Sequence, residues 1–237
     1  MGRARSIFGS IAKLFLLQTG TQLAKHSGII SSGAGRDDCK CIQTNIGGSM
    51  IEQFFDQSSS SFTYLVFSSK HNACIIDPVK ENNEIYIEHL DQYQLNLNFI
   101  LETHTHADHV TGSGALIDMF GCKTFCGMVS NNTNIETLHD GQEILLDDLN
   151  IQAIYTPGHT DDSYSYLLKS SENTYLFSGD TLLINGCGRT DFQNGDPEQL
   201  YDSITQKLFS LDADTIVFPG HDYNNATSTT IADQKKT

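Results

Sequence analysis

His104-Thr105-His106-Ala107-Asp108-His109 packs four metal-type side chains into six residues, directly after the apolar run 97–101. Three more such side chains follow in the same setting. His159 comes after the apolar run 151–155, Asp180 after Tyr175-Leu176-Phe177, and His221 after 215–218. Each run reads as a buried strand, so each candidate ligand leaves the end of a rigid element while the loops meet at one edge. Imidazole and carboxylate suit zinc or iron. Glycine precedes three of them, in Pro157-Gly158-His159, Ser178-Gly179-Asp180 and Pro219-Gly220-His221. It permits the sharp turn that aims the next side chain inward. One His-x-His is usually a surface pair; seven such side chains at four strand ends make a metal site.

Outward from this cluster, Phe62 to Phe67 and Ala73 to Pro78 read as two strands around a turn at Lys70-His71-Asn72. Residues 83–93 have a helical setting of Ile85, Ile87 and Leu90, and 110–120 are helix-like. Residues 123–126 form a short strand, 144–155 a hairpin turned at Asp147-Asp148, and 163–168 with 174–178 the next pair. Residues 197–208 predict a helix, with Pro197 near its start and Leu200, Ile204 and Leu208 on one face. Strand pairs mixed with a few helices predict two sheets covered by helices.

The chain has 237 residues and a net charge of −15, unevenly spread. Residues 1–36 carry Arg3, Arg5, Lys13, Lys25 and Arg36 and no acid; the remainder holds all 29 acids. The acidity argues against a nucleic-acid partner, and no apolar run reaches the roughly 18 residues that cross a bilayer. Ile7, Ile11, Leu14 and Leu17 give the basic leader an amphipathic face, so residues 1–36 read as a mitochondrial transit peptide. The plainer alternative is a basic tail, with cytoplasmic location. Residues 37–49 close a Gly/Ser-rich stretch that reads as linker, placing the catalytic domain at 50–237. The six cysteines show no paired zinc-knuckle spacing and read as reduced thiols, with Cys187 a small buried hydrophobe.

His104-x-His106-x-Asp108-His109 with later His, Asp and His resembles the metallo-β-lactamase superfamily. The stretch from Gly179-Asp180-Thr181 through Gly186-Cys187-Gly188-Arg189-Thr190-Asp191-Phe192-Gln193 is similar to the persulfide dioxygenases. Thr103-His104 through Gly114, and Phe218 through Tyr223, resemble them too. The resemblance covers roughly 50–224 and implies an α/β (α+β) fold, a four-layer αββα sandwich of two mixed sheets. It implies oxidation of glutathione persulfide with O2 to sulfite and glutathione, with one Fe(II) held by His104, His159 and Asp180. His106, Asp108, His109 and His221 then orient ligands and water from behind, or hold a second metal. Arg189 would pair with a glutathione carboxylate, and Tyr223 would hydrogen-bond the tripeptide. A homodimer is compatible with this picture.

The pattern departs in two places. The family commonly has Pro-Gly after His-Thr, where this chain has Asp161-Asp162, altering the turn behind a ligand and adding negative charge. It also usually continues for some tens of residues past the His-Asp-Tyr segment, so the catalytic domain reads as short at its C terminus. The alternative is a glyoxalase II-like hydrolase of glutathione thioesters such as S-lactoylglutathione, with Zn(II) in a dinuclear site.

Overall fold

A computed structural model describes residues 39–237 other than 224. The transit-peptide reading of 1–36 therefore lies outside the described residues. The first sheet takes its seven strands in chain order: β1 (Cys39–Asn45), β2 (Met50–Asp56), β3 (Ser61–Phe67), β4 (Asn72–Ile76), β5 (Asn96–Leu101), β6 (Lys123–Cys126) and β7 (Ile135–Thr137). The run from β1 to β4 is antiparallel; β4 to β7 are parallel. The parallel pairs need crossovers; α1 (Asn83–Gln92) supplies the one from β4 to β5 and α2 (Ser113–Phe120) the one from β5 to β6, while a loop joins β6 to β7. β1 falls inside the 37–49 stretch that reads as linker, so folded sheet precedes Met50; full pairing with β2 outweighs the weak strand signal of its sequence.

The second sheet has the order β13-β12-β11-β10-β9-β8, from β8 (Glu143–Leu146), β9 (Leu149–Tyr155), β10 (Tyr164–Lys169), β11 (Thr174–Gly179), β12 (Ile216–Pro219) and β13 (Thr229–Thr230). Only β11 and β12 run parallel in it. Alternating residues of both sheets, among them Ile51, Val66, Ile76, Leu101, Ile151, Tyr166 and Phe177, meet in one buried layer between the sheets. Each fully buried large apolar side chain there contributes roughly 1.5–3 kcal/mol.

The outer faces are covered separately. Tyr86 and Leu90 of α1 with Leu116 and Ile117 of α2 pack on Phe54, Leu65, Ala73 and Ile75 of the first sheet. On the second sheet, Leu208 and Ile231 cover Leu167, Leu176 and Val217. The predicted helix 197–208 is α-helical only over α3 (Pro197–Asp202), capped by Asp196. It then widens to a π turn at Ser203–Lys207 and a 3-10 turn at Leu208–Ser210, where the buried Ser203 hydroxyl donates to the Pro157 carbonyl. The last helix is the single turn α4 (Ile231–Gln234). Two mixed sheets between helices give the expected αββα sandwich, and no helix among the described residues is long and apolar enough to cross a membrane.

Candidate metal centre

The strand ends bring the seven candidate side chains together. His104 leaves β5 of the first sheet; His159 follows β9, Asp180 follows β11 and His221 follows β12 of the second. Gly158 and Gly179 hold left-handed φ values of 135° and 50°, which turn His159 and Asp180 inward. One ligand atom each from His104, His159 and Asp180 lie within 4.8 Å of one another, and all three residues are buried. Those of His106, Asp108 and His109 form an adjoining group of the same size. His221 joins the two, its Nε2 3.4 Å from Asp180 Oδ2 and 3.7 Å from Asp108 Oδ2.

Hydrogen bonds fix which nitrogens face the centre. The Thr103 hydroxyl donates to Asp77 Oδ2 (2.7 Å), so the 2.9 Å contact between His104 Nδ1 and Thr103 Oγ1 must use the proton of Nδ1. His159 Nδ1 donates to the backbone carbonyl of Arg189 at 2.7 Å. Both rings then present a bare Nε2, the arrangement that orients histidine ligands of metals. His159 Nε2 lies 3.6 Å from Asp180 Oδ2, whereas Asp180 Oδ1 is buried with no hydrogen-bond partner. A buried unpartnered carboxylate oxygen costs about 1–3 kcal/mol or more, and a cation satisfies it. The residues fit a metal.

His106 is placed differently. Its Nε2 lies 3.2 Å from Asp77 Oδ1 and 3.4 Å from Glu102 Oε2. Burial disfavours its charged form, but these two carboxylates outweigh burial and raise its pKa well above the usual histidine range. For His104 burial dominates, and the neighbouring His106 and His159 add to it, so its pKa falls well below that range. Burial works against the ionised Asp108, yet His109, His221 and the Ser61 hydroxyl hold it below the usual carboxylate range. Burial raises Asp180 despite the pull of His221 and His159.

Asp161-Asp162 does not point bare charge at the centre. Asp162 accepts from Thr105 N–H (3.3 Å), the Thr105 hydroxyl (2.5 Å) and the Thr160 hydroxyl (2.6 Å). Asp161 accepts from the Asn194 amide, and the Gln193 amide donates to the Thr105 carbonyl. The pair thus ties the loops of His104, His159 and Arg189 to one another.

A cleft of about 670 Å³ opens beside the centre, lined by Asp108, His159, Asp180 and His221 together with Leu183, Arg189, Phe192 and Tyr223. The Arg189 guanidinium is on the surface and forms a two-pronged pair with Asp191 (2.7 and 2.8 Å). Tyr223 is 66% exposed, its ring stacked on His221 at 5.3 Å and 6°. Cys187 also lines the cleft and is exposed, not the buried hydrophobe its sequence context suggests. Sequence reasoning missed Asp77, Glu102 and Ser61. Asp77 carries a signal of its own, since Ile75-Ile76-Asp77 ends a strand as Asp180 does.

Two sheets packed face to face with a histidine–aspartate cluster at one edge define a metalloprotein of the metallo-β-lactamase class, and residues 58–221 match the Metallo-beta-lactamase superfamily. The chain is 35% identical over 188 residues to mitochondrial persulfide dioxygenase ETHE1 of Homo sapiens, covering 78% of this chain and 73% of that protein. It superposes on the crystal structure of ETHE1 from Myxococcus xanthus with a TM-score of 0.74 and 42% identity, over 78% of this chain and 81% of that one. A hydroxyacylglutathione hydrolase of Francisella tularensis is 34% identical over 172 residues, covering 72% of this chain but 66% of that protein. The chain belongs to the persulfide dioxygenase family of the metallo-β-lactamase superfamily.

Proposed function

We propose that this enzyme oxidises glutathione persulfide with O2 to sulfite and glutathione, using one Fe(II) held by His104, His159 and Asp180. The observation that carries the reading is the pair of bare Nε2 atoms beside the unpartnered Asp180 Oδ1. Two histidines and one carboxylate are the ligand set of non-haem Fe(II) oxygenases, and iron supplies the redox chemistry that lets O2 react with sulfur. The chain's own residues bind and orient. Thr103 and the Arg189 carbonyl hold the two imidazoles, while Leu183 and Phe192 give the thiol's carbon skeleton an apolar wall. Arg189 exchanges Asp191 for a glutathione carboxylate, at small cost because a fully exposed pair is screened by solvent. Tyr223 donates its hydroxyl to the tripeptide. The mitochondrial names of the relatives support residues 1–36 as a transit peptide; action in matrix sulfide catabolism, as a homodimer, belongs to the same proposal.

The second reading is a dinuclear thioester hydrolase. The convergence of His106, Asp108 and His109 and the likeness to hydroxyacylglutathione hydrolases favour it. Metal analysis paired with two assays decides between them. The expected result is one iron in this centre and O2 uptake with glutathione persulfide. Zinc in the centre with hydrolysis of S-lactoylglutathione overturns the dioxygenase reading.

A further inference from the structure

Away from the strand-end cluster, the outer face of the first sheet gathers three metal-type donors. β1 and β2 pair with Cys41 opposite Phe54 and Gln43 opposite Glu52. These side chains face α1, whose last turn carries His89. One ligand atom each from Cys41, Glu52 and His89 lie within 4.8 Å of one another. We propose that Cys41, Glu52 and His89 form a second metal site, one for zinc, that pins β1 and β2 to α1.

Charge is the first argument. Glu52 is 0% exposed, and among the described residues its one basic partner in an ion pair is His89, at 2.8 Å. A buried carboxylate costs several kcal/mol unless a cation compensates it. The Glu52–His89 hydrogen bond marks where that cation goes, with Zn(II) taking the place of the shared proton.

Donor chemistry is the second argument. Thiolate, imidazole and carboxylate together suit zinc. The set is also supported from behind, as metal ligands are. Gln43 Nε2 donates to Glu52 Oε1 at 2.6 Å and lies 2.7 Å from the Tyr93 hydroxyl. The Phe54 ring packs against His89 with centroids 4.8 Å apart at 83°, fixing the imidazole plane. Cys41 and His89 are half-buried, which leaves an entry path and room for water as fourth ligand. On binding, the Cys41 thiol proton and the proton shared by His89 and Glu52 both leave for solvent, and nothing is oxidised or reduced.

Cobalt(II) tests this in the full-length, iron-loaded protein. A thiolate bound to Co(II) gives an intense near-ultraviolet charge-transfer band, which the histidine–aspartate centre cannot produce. The expected result is such a band, saturating at one cobalt per chain and displaced by zinc. It is lost in Cys41→Ser and in His89→Ala, with iron content and O2 uptake unchanged in Cys41→Ser, and it persists in Cys187→Ser. Absence of the band, or its survival in Cys41→Ser, overturns the proposal. So does its loss in Cys187→Ser, which would place the cobalt in the cleft.

Discussion

Asp162 stands where the family pattern has glycine, and its carboxylate accepts three hydrogen bonds from residues adjoining His104 and His159. Supporting groups of this kind typically change metal affinity 10–100-fold when removed. Asp162→Ala is therefore expected to speed iron loss to a chelator about tenfold, with Asp162→Asn in between because one amide oxygen still accepts. Equal retention in wild type and both variants would show the bonds to be incidental. In the proposed centre His159→Ala removes a ligand, and both bound iron and O2 uptake with glutathione persulfide should fall by more than about a hundredfold. Arg189 divides into two roles. Its carbonyl orients His159, and substitution leaves that bond in place; its side chain, at the cleft's lining, is the part proposed to bind substrate. Arg189→Ala is thus expected to raise KM about tenfold, the worth of one charge-assisted pair, with kcat little changed. A fall in kcat at constant KM would contradict the binding role.

Among the elements, the turn before His159 is the most tightly fitted. Gly158 has φ 135°, and a Cβ there would lie 2.2 Å from the backbone nitrogen of Leu200 in α3. Backbone cannot rotate away as a side chain can, so Gly158→Ala should cost about 2–4 kcal/mol in urea unfolding. A cost under about 1 kcal/mol would mean that α3 moves freely. The strands that feed the ligands were legible because each is a short apolar run ended by a polar side chain, as at β5, β9 and β11. β2 was not. Met50-Ile51-Glu52-Gln53-Phe54-Phe55 runs in doublets, and it buries Glu52 and Gln53 where alternation would expose one of them. β1 and β7 draw their stability from pairing, which no local pattern announces. The ligand-type residues of the centre were legible from their shared setting. Cys41, Glu52 and His89 were not, because register and a helix face unite them rather than spacing. Asp162 read as a displaced turn because only the folded loops show what its carboxylate reaches.

At the scale of the whole molecule, the centre lies across the seam between the two sheets. His104 belongs to the first sheet; His159 and Asp180 belong to the second. The apolar layer holds the sheets together away from the loops, and a metal bound to all three side chains fastens them at the loop edge. Because the unfolded chain cannot assemble that ligand set, binding adds directly to folding stability. The gain is about 4 kcal/mol when free metal exceeds its dissociation constant a thousandfold. In a domain of this size each kcal/mol shifts Tm by about 2–4 °C, so the total rise is on the order of 10 °C. The proposed zinc site would blur this measurement, so the experiment uses His89→Ala, stripped of metal and reloaded with Fe(II) without oxygen. The melting temperature should climb by that amount. Under the same reloading His89→Ala/His159→Ala should stay flat, since its cross-link lacks one strand end. An equal rise in both proteins would mean that iron binds without His159 and that the seam is held some other way.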